Sequence, residues 1–285
     1  MPTTRSADGT LIAFEKQGQG PPLVLVDGAL CHRGFGPMKE IGGLLNKDFT
    51  VYIYDRRGRG ESGDTAPWTL DREVEDLEAL LREAGGSAFV MGLSSGAALS
   101  LEAARRGVAI RRLVLFEAPF VVDGEYPPIG SDYLPTLKSL VAGDRRGAAV
   151  KHFMRRVGVP RLMLAVMPLM PMWKKLKAVA PTLVYDISIV EPFQQGRPLP
   201  GDRWVAMTTP TLVIDGGKSP AWMRNGMRAL ASAIPGARHE TLPGQTHMVK
   251  AAVLAPVLSG FFGGAVRNGA EILRSAATGA ASADL

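Results

Sequence analysis

The chain has 285 residues, of which 46% are hydrophobic and 21% charged, with a formal net charge of +6. That is ordinary globular composition with enough apolar material for a large core, and a charge of this size acts mainly on solubility and non-specific association. The basic residues fall in short clusters such as Arg56-Arg57, Arg105-Arg106 and Lys174-Lys175, without a long run or aromatic interleaving, so nucleic acid is not expected as a partner.

Leu23 to Val26 is a short apolar run after Gly20-Pro21-Pro22 and predicts a buried strand. Phe49 to Tyr54 predicts a second strand, which ends in the glycine-rich loop Asp55-Arg-Arg-Gly-Arg-Gly60. Leu70, Val74, Leu77, Leu80 and Leu81 recur at helical spacing, with acidic residues on the other face, and predict a helix over Leu70 to Ala84. Ala88 to Leu93 predicts a third strand, running into Ser94-Ser95-Gly96 and an Ala/Leu-rich helix to Arg106. Strands follow at Leu113 to Phe116, Thr211 to Ile214 and His239 to Leu242, with helices at Arg224 to Ile234 and Ala251 to Phe262. This alternation predicts an α/β fold, a mostly parallel central sheet with helices on both faces.

The alternation breaks between about Asp123 and Arg203, a stretch rich in Pro and Met that reads as a helical insertion late in the chain. The expected organisation is a core of residues 1–122 and 204–264, an insertion over 123–203, and a C-terminal helix or frayed tail over 265–285. Met163, Met167, Met170 and Met172 are expected to pack the insertion against the core, with an adaptable pocket wall as the alternative.

With Cys31 as the sole cysteine, neither an intramolecular disulfide nor a cysteine-built metal site is expected. The polar start, Met1 to Thr10, lacks a signal peptide's apolar core, and the most apolar stretch, Arg161 to Trp173, is too short to span a bilayer and contains Pro168 and Pro171. No membrane association is expected, and the cytoplasm is the default location.

Gly92-Leu93-Ser94-Ser95-Gly96 has the form G-x-S-x-G and sits between a predicted buried strand and a helix. That context is what a nucleophile elbow requires, because a tight strand-to-helix turn lifts the serine oxygen above the sheet edge. Here the chain resembles the α/β-hydrolase family. Val24-Leu-Val-Asp27-Gly28 stands where that family has a strand ending in His-Gly, Asp55-Arg-Arg-Gly-Arg-Gly-Glu-Ser62 matches its D-x-R-G-x-G-x-S loop, and Leu242-Pro-Gly-Gln-Thr-His247 matches its late G-x-x-H segment. The resemblance covers roughly Asp8 to Phe262 and makes the insertion a cap that shapes the pocket. It implies Ser94 as nucleophile, His247 as general base, and backbone N–H groups of Ala29 and Ser95 as the oxyanion hole. Leu30, Cys31, His32 and Asp215 become candidate pocket residues. Neither a cofactor nor a metal is implied.

Two departures stand out. Asp27 replaces the family's usual histidine, with Arg33 or Arg57 as candidates to offset its charge. Ser219 stands where the family usually has the triad's aspartate, and serine cannot stabilise an imidazolium as a carboxylate does. Glu117, at the end of the strand after the nucleophile's, is the preferred replacement, since some α/β-hydrolases carry their acid there. Asp215 and a dyad lacking a charged third member are the alternatives. Haloalkane dehalogenases and epoxide hydrolases of this fold use Asp at the elbow, so Ser94 points to acyl transfer onto serine. The expected activity is hydrolysis of an ester, lactone or thioester with an apolar acyl group. The alternative keeps the fold without hydrolysis, as an acyltransferase, a lyase or cyclase, or a small-molecule binding module.

Overall fold

A computed structural model describes residues 1–263; the predicted tail over 265–285 lies outside the described residues. Eight strands form one sheet: β1 (Thr3–Arg5), β2 (Leu11–Gln17), β3 (Pro22–Val26), β4 (Thr50–Tyr54), β5 (Ala88–Leu93), β6 (Ile110–Phe116), β7 (Thr211–Gly216) and β8 (Arg238–Leu242). Their spatial order is β1-β2-β4-β3-β5-β6-β7-β8. The β1–β2 and β2–β4 pairings are antiparallel, and the remaining five are parallel.

Period-two alternation divides the core between the two faces. In β3, Val24 and Val26 face one side, with helices α2 (Leu70–Glu83), α3 (Ser95–Arg105) and α9 (Ala221–Ala233). Leu23 and Leu25 face the other, with α1 (Met38–Leu45) and α10 (Ala251–Gly263). Because β3 connects toward β4 on one side while β5 continues toward β6 on the other, the chain reverses its strand order between β3 and β5. In open α/β sheets, ligands bind outside the carboxyl ends of the strands at such a switch point.

Between β6 and β7 lie α4 (Tyr133–Ala142), α5 (Arg146–Arg156), α6 (Arg161–Val166), α7 (Trp173–Val179) and α8 (Leu183–Val190), with short 3₁₀ turns at Met167–Leu169 and Ala180–Thr182 linking the last three. Of the four methionines expected to pack this segment, Met167 is buried, whereas Met163, Met170 and Met172 are exposed. That corrects the expectation for three of them. Among the described residues no helix is long and apolar enough to cross a membrane.

Candidate active site

The turn from β5 into α3 holds Ser94 at φ 58° and ψ −125°, a region that non-glycine residues rarely occupy. Its neighbours are small because the backbone is crowded. A Cβ on Gly96 would lie 2.4 Å from the Val26 carbonyl oxygen, and one on Gly28 would lie 2.9 Å from the Ser94 Cβ. The loops after β3 and β5 therefore touch through glycines, which places Ala29 beside Ser94. Ser95 is the first residue of α3, so its N–H has no intrahelical acceptor and lies at the positive end of the helix.

Glu117, just after β6, is fully buried and has a φ of 46°. Its Oε1 accepts the Gly216 N–H at 2.7 Å, and its Oε2 lies 2.8 Å from His247 Nδ1. A carboxylate only accepts hydrogen bonds, so the pairing puts the imidazole proton on Nδ1 and leaves Nε2 free to take another. Asp215 is aimed elsewhere: its Oδ2 is 2.7 Å from His239 Nε2 on the adjacent strand β8. Ser219 is buried, and its hydroxyl has no hydrogen-bond partner among the described residues.

Ser94, Ser95, Ala29 and His247 line one cavity of about 330 Å³, at the small end of the roughly 300–1,000 Å³ found for small-molecule sites. Its walls are mostly apolar, including Phe153, Ile187, Val190, Trp222 and Met223. Leu30, Cys31, His32 and Asp215 are not among its lining residues. Burial and the nearby Asp27 push the Cys31 thiol well above its usual range, and the Gly34 N–H occupies His32 Nδ1. The two sequence neighbours therefore do not form a thiolate–imidazole pair. Among the described residues no cluster of His, Cys, Asp or Glu could hold a metal ion.

Beneath the cavity runs a buried charge network that none of the sequence expectations contains. Asp186, on α8, is fully enclosed and lines the cavity. It accepts hydrogen bonds from Ser95 Oγ at 2.7 Å, Arg56 Nη1 at 2.8 Å and Arg59 Nη2 at 2.7 Å. Arg56 also pairs with Glu73 at 2.8 Å, and Arg59 Nη1 donates to the carbonyls of Gly28 and Cys31 at 2.6 and 3.1 Å. One loop thus ties the Gly28–Cys31 segment, the β5–α3 turn and α8 together. Each buried charge meets opposite charge at hydrogen-bond distance, and removing one partner of such a set typically costs about 3–5 kcal/mol. A single acid within the apolar helix Leu183–Val190 was the available signal.

Asp27 is buried beside this network. Arg33 pairs with Asp55 and Glu61, and Arg57 with Asp8 and Asp76, so neither serves as its partner. The charges that reach Asp27 are those of Arg59 and Arg56. Loss of hydration outweighs them and raises the Asp27 carboxyl to about 7. The folded protein therefore holds this proton between about pH 4 and 7, whereas the unfolded chain has released it. Stability from this group falls as pH rises through that window and then levels off. Asp27→Asn should raise stability at pH 8 by at most about 4 kcal/mol, and by less at pH 5. Urea denaturation at the two pH values tests this; an equal gap at both would refute it.

A model of the Alpha/beta hydrolase family matches residues 24–257. Among solved structures, an alpha/beta hydrolase from Sphaerobacter thermophilus is similar, with 49% identity and a TM-score of 0.84 over 92% of this chain and 100% of that one. A thermophilic esterase from Thermogutta terrifontis has 21% identity and a TM-score of 0.68, covering 92% and 97% of the two chains. An enol-lactonase from Burkholderia xenovorans has 20% identity and a TM-score of 0.67, covering 92% and 99%. At that identity the last two share the fold alone. No curated protein matches the chain at a significant level.

Proposed function

Because the chain belongs to the alpha/beta hydrolase family, we propose that it is a serine-dependent hydrolase of carboxylic esters, lactones or thioesters, working through an acyl-enzyme intermediate. The observation that carries this reading is the 2.8 Å contact between Glu117 and His247 Nδ1, with His247 and the strained Ser94 on one cavity.

In this mechanism His247 Nε2 takes the Ser94 hydroxyl proton as Oγ attacks the substrate carbonyl. Glu117 holds the imidazole in the required tautomer and stabilises the imidazolium that forms. The N–H groups of Ala29 and Ser95 receive the oxyanion, each worth about 2.7–4 kcal/mol at the transition state. His247 then returns its proton to the leaving alcohol or thiol. Water, activated by the same imidazole, resolves the acyl-enzyme. Helices α4 to α8 act as the cap, with α8 anchored to the elbow through Asp186 and Ser95.

The test is a panel of aryl esters, lactones and thioesters of varied acyl length, with and without a competing alcohol. Burst release of the first product followed by steady hydrolysis is the expected result. Product found mainly as the transferred ester would make the protein an acyltransferase, and no turnover across the panel would overturn the proposal.

A further inference from the structure

Among the lining residues of the cavity is a cation, Arg156, whose charge no described residue neutralises. Arg156 ends α5 and is half-buried. Its Nη1 donates to the Pro127 carbonyl at 2.8 Å and its Nη2 to Gln194 Oε1 at 3.4 Å. Its guanidinium lies 4.7 Å from the centre of the Tyr126 ring, and the Tyr126 hydroxyl donates back to the Arg156 carbonyl. All these partners are neutral. Among the described residues no carboxylate forms an ion pair with Arg156.

The contrast with the other arginines is chemical. Arg56 and Arg59 are also buried near the site, but both are held by Asp186, and Arg56 additionally by Glu73. Among the described residues Asp186 is the only acidic one lining the cavity, and its oxygens are occupied by the two guanidiniums and Ser95. An anion entering the cavity therefore meets Arg156 without competition from a protein carboxylate. Burial of a guanidinium without a counter-charge carries a desolvation cost, visible in the downward push on the Arg156 pKa. A ligand carboxylate would remove that imbalance, and the planar guanidinium fork matches its geometry.

We propose that the cavity takes acyl substrates carrying a carboxylate, such as the half-ester of a dicarboxylic acid or a carboxylated lactone, with Arg156 as the residue that receives the anion. The apolar walls hold the carbon chain between the reacting carbonyl and the carboxylate. This inference rests on the serine-hydrolase reading for turnover, but not for binding.

The experiment compares the p-nitrophenyl half-ester of glutaric acid with neutral p-nitrophenyl valerate, which has the same acyl length. The wild-type protein should favour the half-ester in kcat/KM. Arg156→Gln should lower the half-ester to valerate ratio about 10- to 100-fold, the size expected on losing one charge-assisted hydrogen bond, chiefly through KM. Arg156→Lys should recover part of the loss. Glutarate and valeramide are also titrated calorimetrically into the Ser94→Ala protein, which needs neither turnover nor a change at Arg156. Glutarate should bind more tightly. A ratio unchanged by Arg156→Gln, or glutarate binding no tighter than valeramide, would overturn the proposal. Absence of all ester turnover alongside tight glutarate binding would instead refute the serine-hydrolase reading and leave the anion site standing.

Discussion

Ser94→Ala should reduce ester turnover by about 10⁴- to 10⁶-fold, the scale seen when a serine nucleophile is removed from a triad that acts as a unit. The change deletes one oxygen and leaves the crowded turn intact. Gly28 and Gly96 keep their close approach, and alanine is no bulkier than serine at φ 58°. Folding should therefore be retained, and the loss should fall on kcat. Initial rates on an aryl ester, with the thermal unfolding of both proteins measured alongside, separate chemistry from stability. Undiminished hydrolysis by the alanine variant would remove Ser94 from the mechanism.

The second large effect concerns the acid. Glu117→Gln should lower kcat about 10³- to 10⁴-fold, because an amide reverses the logic of the pairing. The Gln oxygen can still accept the Gly216 N–H, which leaves its NH₂ facing His247 Nδ1. A donor there stabilises the tautomer protonated on Nε2, which cannot serve as base. Asp215→Asn should cost less than about tenfold in activity, since Asp215 pairs with His239 rather than His247. Its effect should appear instead as about 1–3 kcal/mol of lost stability, from a weakened, part-buried hydrogen bond to His239. Parallel kinetics and urea titrations of the two variants distinguish the roles. Equal activity losses would contradict the assignment.

Most of the sheet was legible because strands buried on both faces are continuous apolar runs. Ala88–Leu93 is found as expected, and β4 and α10 differ from expectation by a residue at an end. β6 begins three residues before the predicted Leu113, at Ile110, because Arg111 and Arg112 interrupt the apolar run. The edge strand β8 is legible, but β1 and β2 at the opposite edge and helix α1 are not. β1 has only three residues, and in β2 the charged residues Glu15 and Lys16 interrupt the apolar pattern. Helix α1 contains Gly42-Gly43, poor helix formers. A Cβ on Gly42 would lie 2.8 Å from Ile53 Cδ1, so packing against β4 favours the residue that local propensity disfavours.

The candidate site divides in the same way. Ser94, Glu117 and His247 each follow a readable strand, and their placement depends on strand order alone. Asp186 and Arg156 belong to helices whose orientation over the sheet no periodicity encodes. Asp186 meets Arg56 from a position 130 residues away in the chain, and neither residue carries a motif that names the other. The pocket's electrostatics therefore emerged from the fold, whereas its proposed nucleophile, base and acid were already readable in sequence.

The proposed nucleophile can be tested directly by intact-protein mass spectrometry after treatment with a fluorophosphonate, followed by peptide mapping. A single adduct on Ser94 is expected, formed quickly in the wild type, slowly in Glu117→Gln and not at all in Ser94→Ala. An adduct on a different residue, or a protein that hydrolyses esters yet takes up no label at Ser94, would contradict it.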